Sequence, residues 1–135
     1  MEHGRRLPRW LPPAAILSAI LLIGVLAGSL WVRSFQKRVF TEDAVMVIAG
    51  EIRDAASEDP SLGQREIEAR IAALARASVI HASFDEAGRP LDLYGKPFRI
   101  IWESRGDGPA VTCTSAGPDG KLGTRDDIAF ATDGG

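Results

Sequence analysis

Thr114-Ser115-Ala116-Gly117-Pro118-Asp119-Gly120-Lys121-Leu122-Gly123-Thr124-Arg125-Asp126-Asp127-Ile128 is the stretch on which the reading of this chain turns. It holds three carboxylates and three glycines, and with Pro118 among them it forms neither a regular helix nor a strand. Carboxylates gathered in one loop repel one another, and a hard cation relieves that repulsion. Ca²⁺ takes roughly six to eight oxygens, from carboxylates and from carbonyls that glycine turns aim inward. Gly117 to Gly120 makes a tight turn and Gly123 permits a second reversal, so Asp119, Asp126 and Asp127 are the candidate ligands. The Asp-x-Asp-x-Asp-Gly order and distal Glu of an EF-hand are missing. The residues themselves leave two readings, a cation loop and a solvated acidic turn.

Before the loop, Pro109 to Thr114 reads as a strand with Val111 and Cys113 on one side. Arg105-Gly106-Asp107-Gly108 is a turn, and Phe98 to Ser104 alternates at Phe98, Ile100 and Trp102. Ile128 to Thr132 adds a third short strand or closes the loop. The lone Cys113 excludes an intramolecular disulfide and reads as a buried thiol. Further back, Ile67, Ile71, Leu74 and Ser78 mark one face of a helix over Gly63–Ala77, with Glu66 and Arg70 paired at i,i+4. Asp59-Pro60-Ser61 caps its start. Phe40, Ala44, Val47, Ile48, Ile52 and Ala55 lie at helical spacing, so a first helix runs from about Pro12 to Ala56. His81 reads as a surface histidine, Tyr94 as packed against the sheet, and Asp85-Glu86-Ala87-Gly88 as a turn rather than a second cation site.

The 135 residues divide into a basic segment 1–9, an apolar segment 10–32 and a soluble domain 33–135. Trp10 to Val32 carries no charge, and roughly 20 apolar residues span a bilayer as a helix. The lipid bilayer is thus the first expected partner. A cleavable signal ending at Ala27 is the competing reading, although Arg33, Lys37 and Arg38 follow at once. Basic residues flank both ends, so charge does not fix orientation. Residues 39–135 carry 10 Lys and Arg against 17 Asp and Glu, a net charge of −7, which disfavours nucleic acid as a partner. No acid–base pair or Ser/His/Asp order stands out, and the chain does not read as an enzyme.

Two segments together resemble the major pseudopilin of type II secretion systems. Asp92-Leu93-Tyr94-Gly95-Lys96-Pro97-Phe98-Arg99-Ile100 is similar to that family's Asp-Pro-Trp-Gly-Asn-Pro-Tyr segment. Ser115-Ala116-Gly117-Pro118-Asp119-Gly120-Lys121, closing on Asp126-Asp127-Ile128, is similar to its Ser-Leu-Gly-Ala-Asp-Gly-Lys loop and Asp-Ile. The resemblance implies an α+β, pilin-like fold with a long N-terminal helix, transmembrane then amphipathic. A second helix, a small antiparallel sheet and a C-terminal calcium loop follow. It implies a Ca²⁺ held by the side chains of Asp119 and Asp127, with Asp126 competing for the second place. The Ala116 carbonyl joins them as a ligand, with a contribution from Ser115. It also implies a bacterial inner-membrane protein with a periplasmic domain, partnered by other pseudopilins, secretion-system subunits or further copies of itself. The N-terminus departs from the family. Residues 10–32 contain no Glu, and no Gly precedes a Phe-Thr-Leu-hydrophobic-Glu motif. A non-polymerising anchored accessory protein, or a calcium-binding domain released after Ala27, therefore stands beside the filament subunit.

Overall fold

The computed structural model describes residues 12–132. The basic segment 1–9, Trp10 and Leu11 of the apolar segment, and Asp133-Gly134-Gly135 lie outside the described residues. The chain separates into two compact units, with the division between Phe35 and Gln36.

In the first unit, helix α1 (Pro13–Glu58) begins at a proline, where a missing N–H costs nothing. Its apolar side chains stand outward, Leu17 at 67% and Leu21 at 73% exposed. An 18-residue window of α1 has a mean hydropathy of 2.4 and none of it is buried. This is one helix long and apolar enough to cross a membrane. Outward-facing leucines on a helix of this length suit hydrocarbon as solvent.

In the second unit the same helix changes character. Thr41, Ala44, Val45, Ile48, Ala49, Ile52, Ala55 and Ala56 are buried at spacings of three and four, one stripe of a 3.6-residue period. Thr41 is fully inside because its Oγ1 donates to the Lys37 carbonyl at 2.7 Å. The expected stripe is thus rotated slightly: Phe40 and Val47 lie at its margin, and Phe40 instead stacks on exposed His81 at 4.2 Å. After Glu58, Pro60 cannot continue the helix, and Asp59 Oδ1 accepts from Ser61 N and Oγ.

Helix α2 (Gln64–Arg76) buries Ile67, Ile71 and Ala72. Its first turn is closed by Glu66, whose carboxylate reaches back to Gly63 N at 3.3 Å. The expected Glu66–Arg70 pair therefore does not form, and Arg70 crosses to Glu51 of α1 at 2.9 Å. Ser78 also departs from expectation. It lies beyond the helix, exposed, with φ at +57°.

A short hairpin of β1 (Ser83–Phe84) and β2 (Pro90–Leu91) follows, which no periodicity announced. The main sheet has β3 (Arg99–Arg105), β4 (Gly108–Ser115) and β5 (Ile128–Ala131), antiparallel in the order β3-β4-β5. Its register sets Ile100 opposite Cys113, Trp102 opposite Val111 and Ser115 opposite Ile128, which places all six on one face. Val111, Cys113 and Ile128 of that face join Val45, Ile48, Ile52, Ile67 and Ile71 in one core. The architecture is α+β, two helices against a small antiparallel sheet, as the sequence led one to expect.

Candidate metal centre in the C-terminal loop

The loop between β4 and β5 is hung from a single buried carboxylate, Asp92. Its Oδ1 accepts Tyr94 N and Lys96 N, both at 2.9 Å, and so closes the turn that Gly95 makes possible at φ +79°. Its Oδ2 accepts Ser115 Oγ at 2.5 Å. Both side chains are fully buried. Burying a carboxylate is costly unless it is hydrogen-bonded, and three donors meet that need here. Ser115 Oγ in turn accepts Gly117 N at 3.2 Å, so the first residues of the loop inherit their position from Asp92.

Gly117 has φ at +63°, and a Cβ there would overlap the backbone carbonyl of Asp126. This close approach brings the two ends of the loop together. Gly120 lies under the aliphatic stem of Lys96, within 2.9 Å of where its Cβ would stand. The loop therefore rests on the Asp92–Lys96 turn at two points.

The expected ligands are distributed unevenly. Asp119 is exposed, and its Oδ1 accepts Lys121 N at 2.9 Å. That N–H, and then the Thr124 hydroxyl, hold its carboxyl below the usual carboxylate range. Asp127 is half-buried, with Oδ2 accepting Gly123 N at 2.7 Å. Its Oδ1 is buried without a hydrogen-bond partner. Asp126 is half-buried, and Ala116 is buried where β4 ends. Ser115 is placed at the loop, but its hydroxyl is committed to Asp92 and Gly117.

Among the described residues, no group of three His, Cys, Asp or Glu side chains converges as a metal cluster. The gathering of Asp119, Asp126 and Asp127 that their sequence proximity suggested is thus absent as a three-carboxylate cluster. The orphaned Asp127 oxygen is the atom that fits a cation best, since a buried carboxylate oxygen without a donor carries an unmet electrostatic demand. Asp85 is different: its two oxygens accept Ala87 N, Arg89 N and Arg89 Nε, which leaves no demand for a cation.

Two features escaped the sequence. Asp92 stood there as part of a motif, not as the buried acceptor that joins it to Ser115. Its signal was the Asp-x-x-Gly spacing of an Asx-type turn. The second is Tyr94, whose hydroxyl is buried without a partner and whose pKa burial pushes up. No family model, curated protein or solved structure matches this chain.

Proposed function

We propose that this chain is a single-pass, membrane-anchored, pseudopilin-like structural subunit of a type II secretion or pilus-type system, with a Ca²⁺ steadying its C-terminal loop. The observation that carries the reading is the Ser115–Asp92 hydrogen bond, which joins the two segments on which the resemblance rests. Residues distant in sequence but similar to one family meet in a shared buried contact. A Ca²⁺ would neutralise Asp119 and Asp127, with Asp126 alongside and the Ala116 carbonyl supplying a neutral oxygen. Binding to the folded form alone stabilises it by mass action. Extracellular modules of this kind hold the ion with a Kd of roughly 10⁻⁴–10⁻³ M. The reading includes no catalytic step, and it places the soluble domain in the periplasm.

One observation favours a second reading. The described apolar part of α1, from Pro13 to Val32, has no carboxylate with which to register neighbouring subunits. An anchored accessory protein that never polymerises fits that feature. The mature N-terminus, measured by mass spectrometry on chain purified from its own membranes, separates the readings. Cutting just ahead of the apolar helix supports the filament subunit, an intact terminus supports the accessory anchor, and cleavage after Ala27 overturns both in favour of a released domain.

A further inference from the structure

Along one side of α2, Arg65, Glu68, Ala69, Ala72 and Arg76 share a face at positions i, i+3, i+4, i+7 and i+11, with Arg65, Ala69 and Arg76 exposed and Ala72 buried beneath them. The segment Gly88-Arg89-Pro90 lies beside this face, and the two together border a shallow, open groove of about 310 Å³. Its floor is alanine, so a backbone can approach closely. Its two ends are arginines set eleven residues apart, roughly 16 Å along the helix axis. An extended segment of about five residues covers that distance.

The charges are unbalanced in one direction. Among the described residues Arg65 and Arg76 have no carboxylate partner, and Arg76 instead lies 5.5 Å over the Phe84 ring. Arg89 gives its Nε to Asp85, and its side chain remains 67% exposed. Glu68 is the groove's own carboxylate, and its Oε1 accepts from Gln64 Nε2 at 3.1 Å. Three guanidiniums thus stand beside one groove, on a domain whose residues 39–135 carry a net charge of −7. Beyond Glu68 and Arg89 the groove adjoins a cavity of about 120 Å³ lined by Ile67, Ile71, Leu91 and Phe98, the size of one aliphatic side chain.

We propose that this face is a docking site for an acidic, extended segment of a partner protein. Its carboxylates meet Arg65 and Arg76, and one apolar side chain enters the cavity beside Ile67 and Phe98. Elsewhere the domain's negative charge repels such a segment, so attraction here also sets its orientation. Planar guanidiniums suit carboxylates because two parallel N–H groups match two oxygens. The inference rests on the groove and its charges, and it is independent of the pseudopilin reading.

The test uses the full chain in nanodiscs of neutral phospholipid and fluorescein-labelled nonapeptides alternating Leu with Glu, Gln or Lys, read by fluorescence anisotropy. The Glu peptide binds, and the Gln and Lys peptides bind at least tenfold more weakly. Arg65→Gln with Arg76→Gln reduces Glu-peptide affinity at least tenfold, whereas Lys121→Gln with Arg125→Gln leaves it unchanged. Arg65→Glu with Arg76→Glu transfers the preference to the Lys peptide, with unchanged circular dichroism as the folding control. Equal binding of Glu and Gln peptides, or indifference to the Arg65 and Arg76 changes, overturns the proposal. Self-association lost on Arg65→Gln with Arg76→Gln, without any binding of the Glu peptide, overturns it in favour of a second copy.

Discussion

Removal of the Asp92 carboxylate should unfasten the C-terminal loop from the sheet. Asp92→Ala strands three donors: Tyr94 N, Lys96 N and Ser115 Oγ. A buried donor left without an acceptor costs about 1–3 kcal/mol. Tyr94 is half-buried and Lys96 exposed, so water reaches their N–H groups and about 1 kcal/mol each is appropriate. Ser115 is fully buried, which places its loss near the upper end, at about 2–3 kcal/mol. The sum is about 4–5 kcal/mol, a large share of the stability of a small domain. Asp92→Asn keeps an oxygen for the two N–H groups and turns an amide N–H₂ toward Ser115. The serine must then reverse its hydroxyl, for about 1–2 kcal/mol. The measurement is urea unfolding of the full chain in detergent, followed by Trp102 fluorescence after Trp10→Phe and Trp31→Phe. A loss under about 1 kcal/mol for Asp92→Ala refutes the argument that Asp92 anchors the loop. Equal losses for Asn and Ala refute the geometric part, because acceptor placement would then not be what matters.

Three further outcomes follow from single sites. Millimolar Ca²⁺ should raise the Tm of the full chain relative to EGTA, and Asp127→Ala should abolish the rise; an identical rise in that variant would sink the assignment of its orphaned oxygen. Gly117→Ala should cost about 2 kcal/mol or more, from left-handed backbone strain plus the clash with the Asp126 carbonyl. Gly88→Ala, with φ at +76° and open space around it, should cost only the strain, about 1 kcal/mol. Comparable losses in the two melts would contradict the close approach at Gly117. Burial pushes the Cys113 thiol up to about 12. In the unfolded chain the same thiol ionises near pH 9, so the folded state holds the proton more tightly between these values. Its contribution is complete below about pH 9 and declines by about 1.4 kcal/mol per pH unit as pH rises toward 12. Cys113→Ala should flatten the alkaline limb of stability against pH, and an unchanged slope would count against a desolvated thiol.

The helices and the main sheet were legible because each has a periodic face. Ile48, Ile52, Ile67 and Ile71 repeat at helical spacing and all enter one core. Ile100 and Trp102 alternate on β3 opposite Cys113 and Val111 on β4. Errors arose where a hydrogen bond overrode periodicity. Ser78 continued the apolar face of α2 by spacing, yet the helix closes at Arg76, with Ala77 N bonded to Ala73 O and Val79 N to Leu74 O. Arg70 lay at pairing distance from Glu66 along the helix. Glu66 turned to Gly63 N, a contact that depends on where the helix starts. The β1–β2 hairpin has two residues per strand, too few for any alternation to register.

The candidate site shows the same division more sharply. Composition located the loop, since three carboxylates and three glycines are visible without coordinates. Composition does not say which carboxylate oxygens already have donors. Asp119 Oδ1 is met by Lys121 N and Asp127 Oδ2 by Gly123 N, while Asp127 Oδ1 has nothing. Among the described residues, Asp127 Oδ1 is the buried carboxylate oxygen of this loop without a donor. That atom is fixed in place by Gly117 against Asp126, and by Ser115 against Asp92, contacts that span 9 and 23 residues. Long-range contacts of this kind leave no local pattern. A Ca²⁺ bound there would act on a loop whose position Asp92 has already set, so the ion and the Asp92 contact should stabilise the fold in parallel. If instead Ca²⁺ restored Asp92→Ala to parental stability, the ion rather than the buried carboxylate would be what organises the loop.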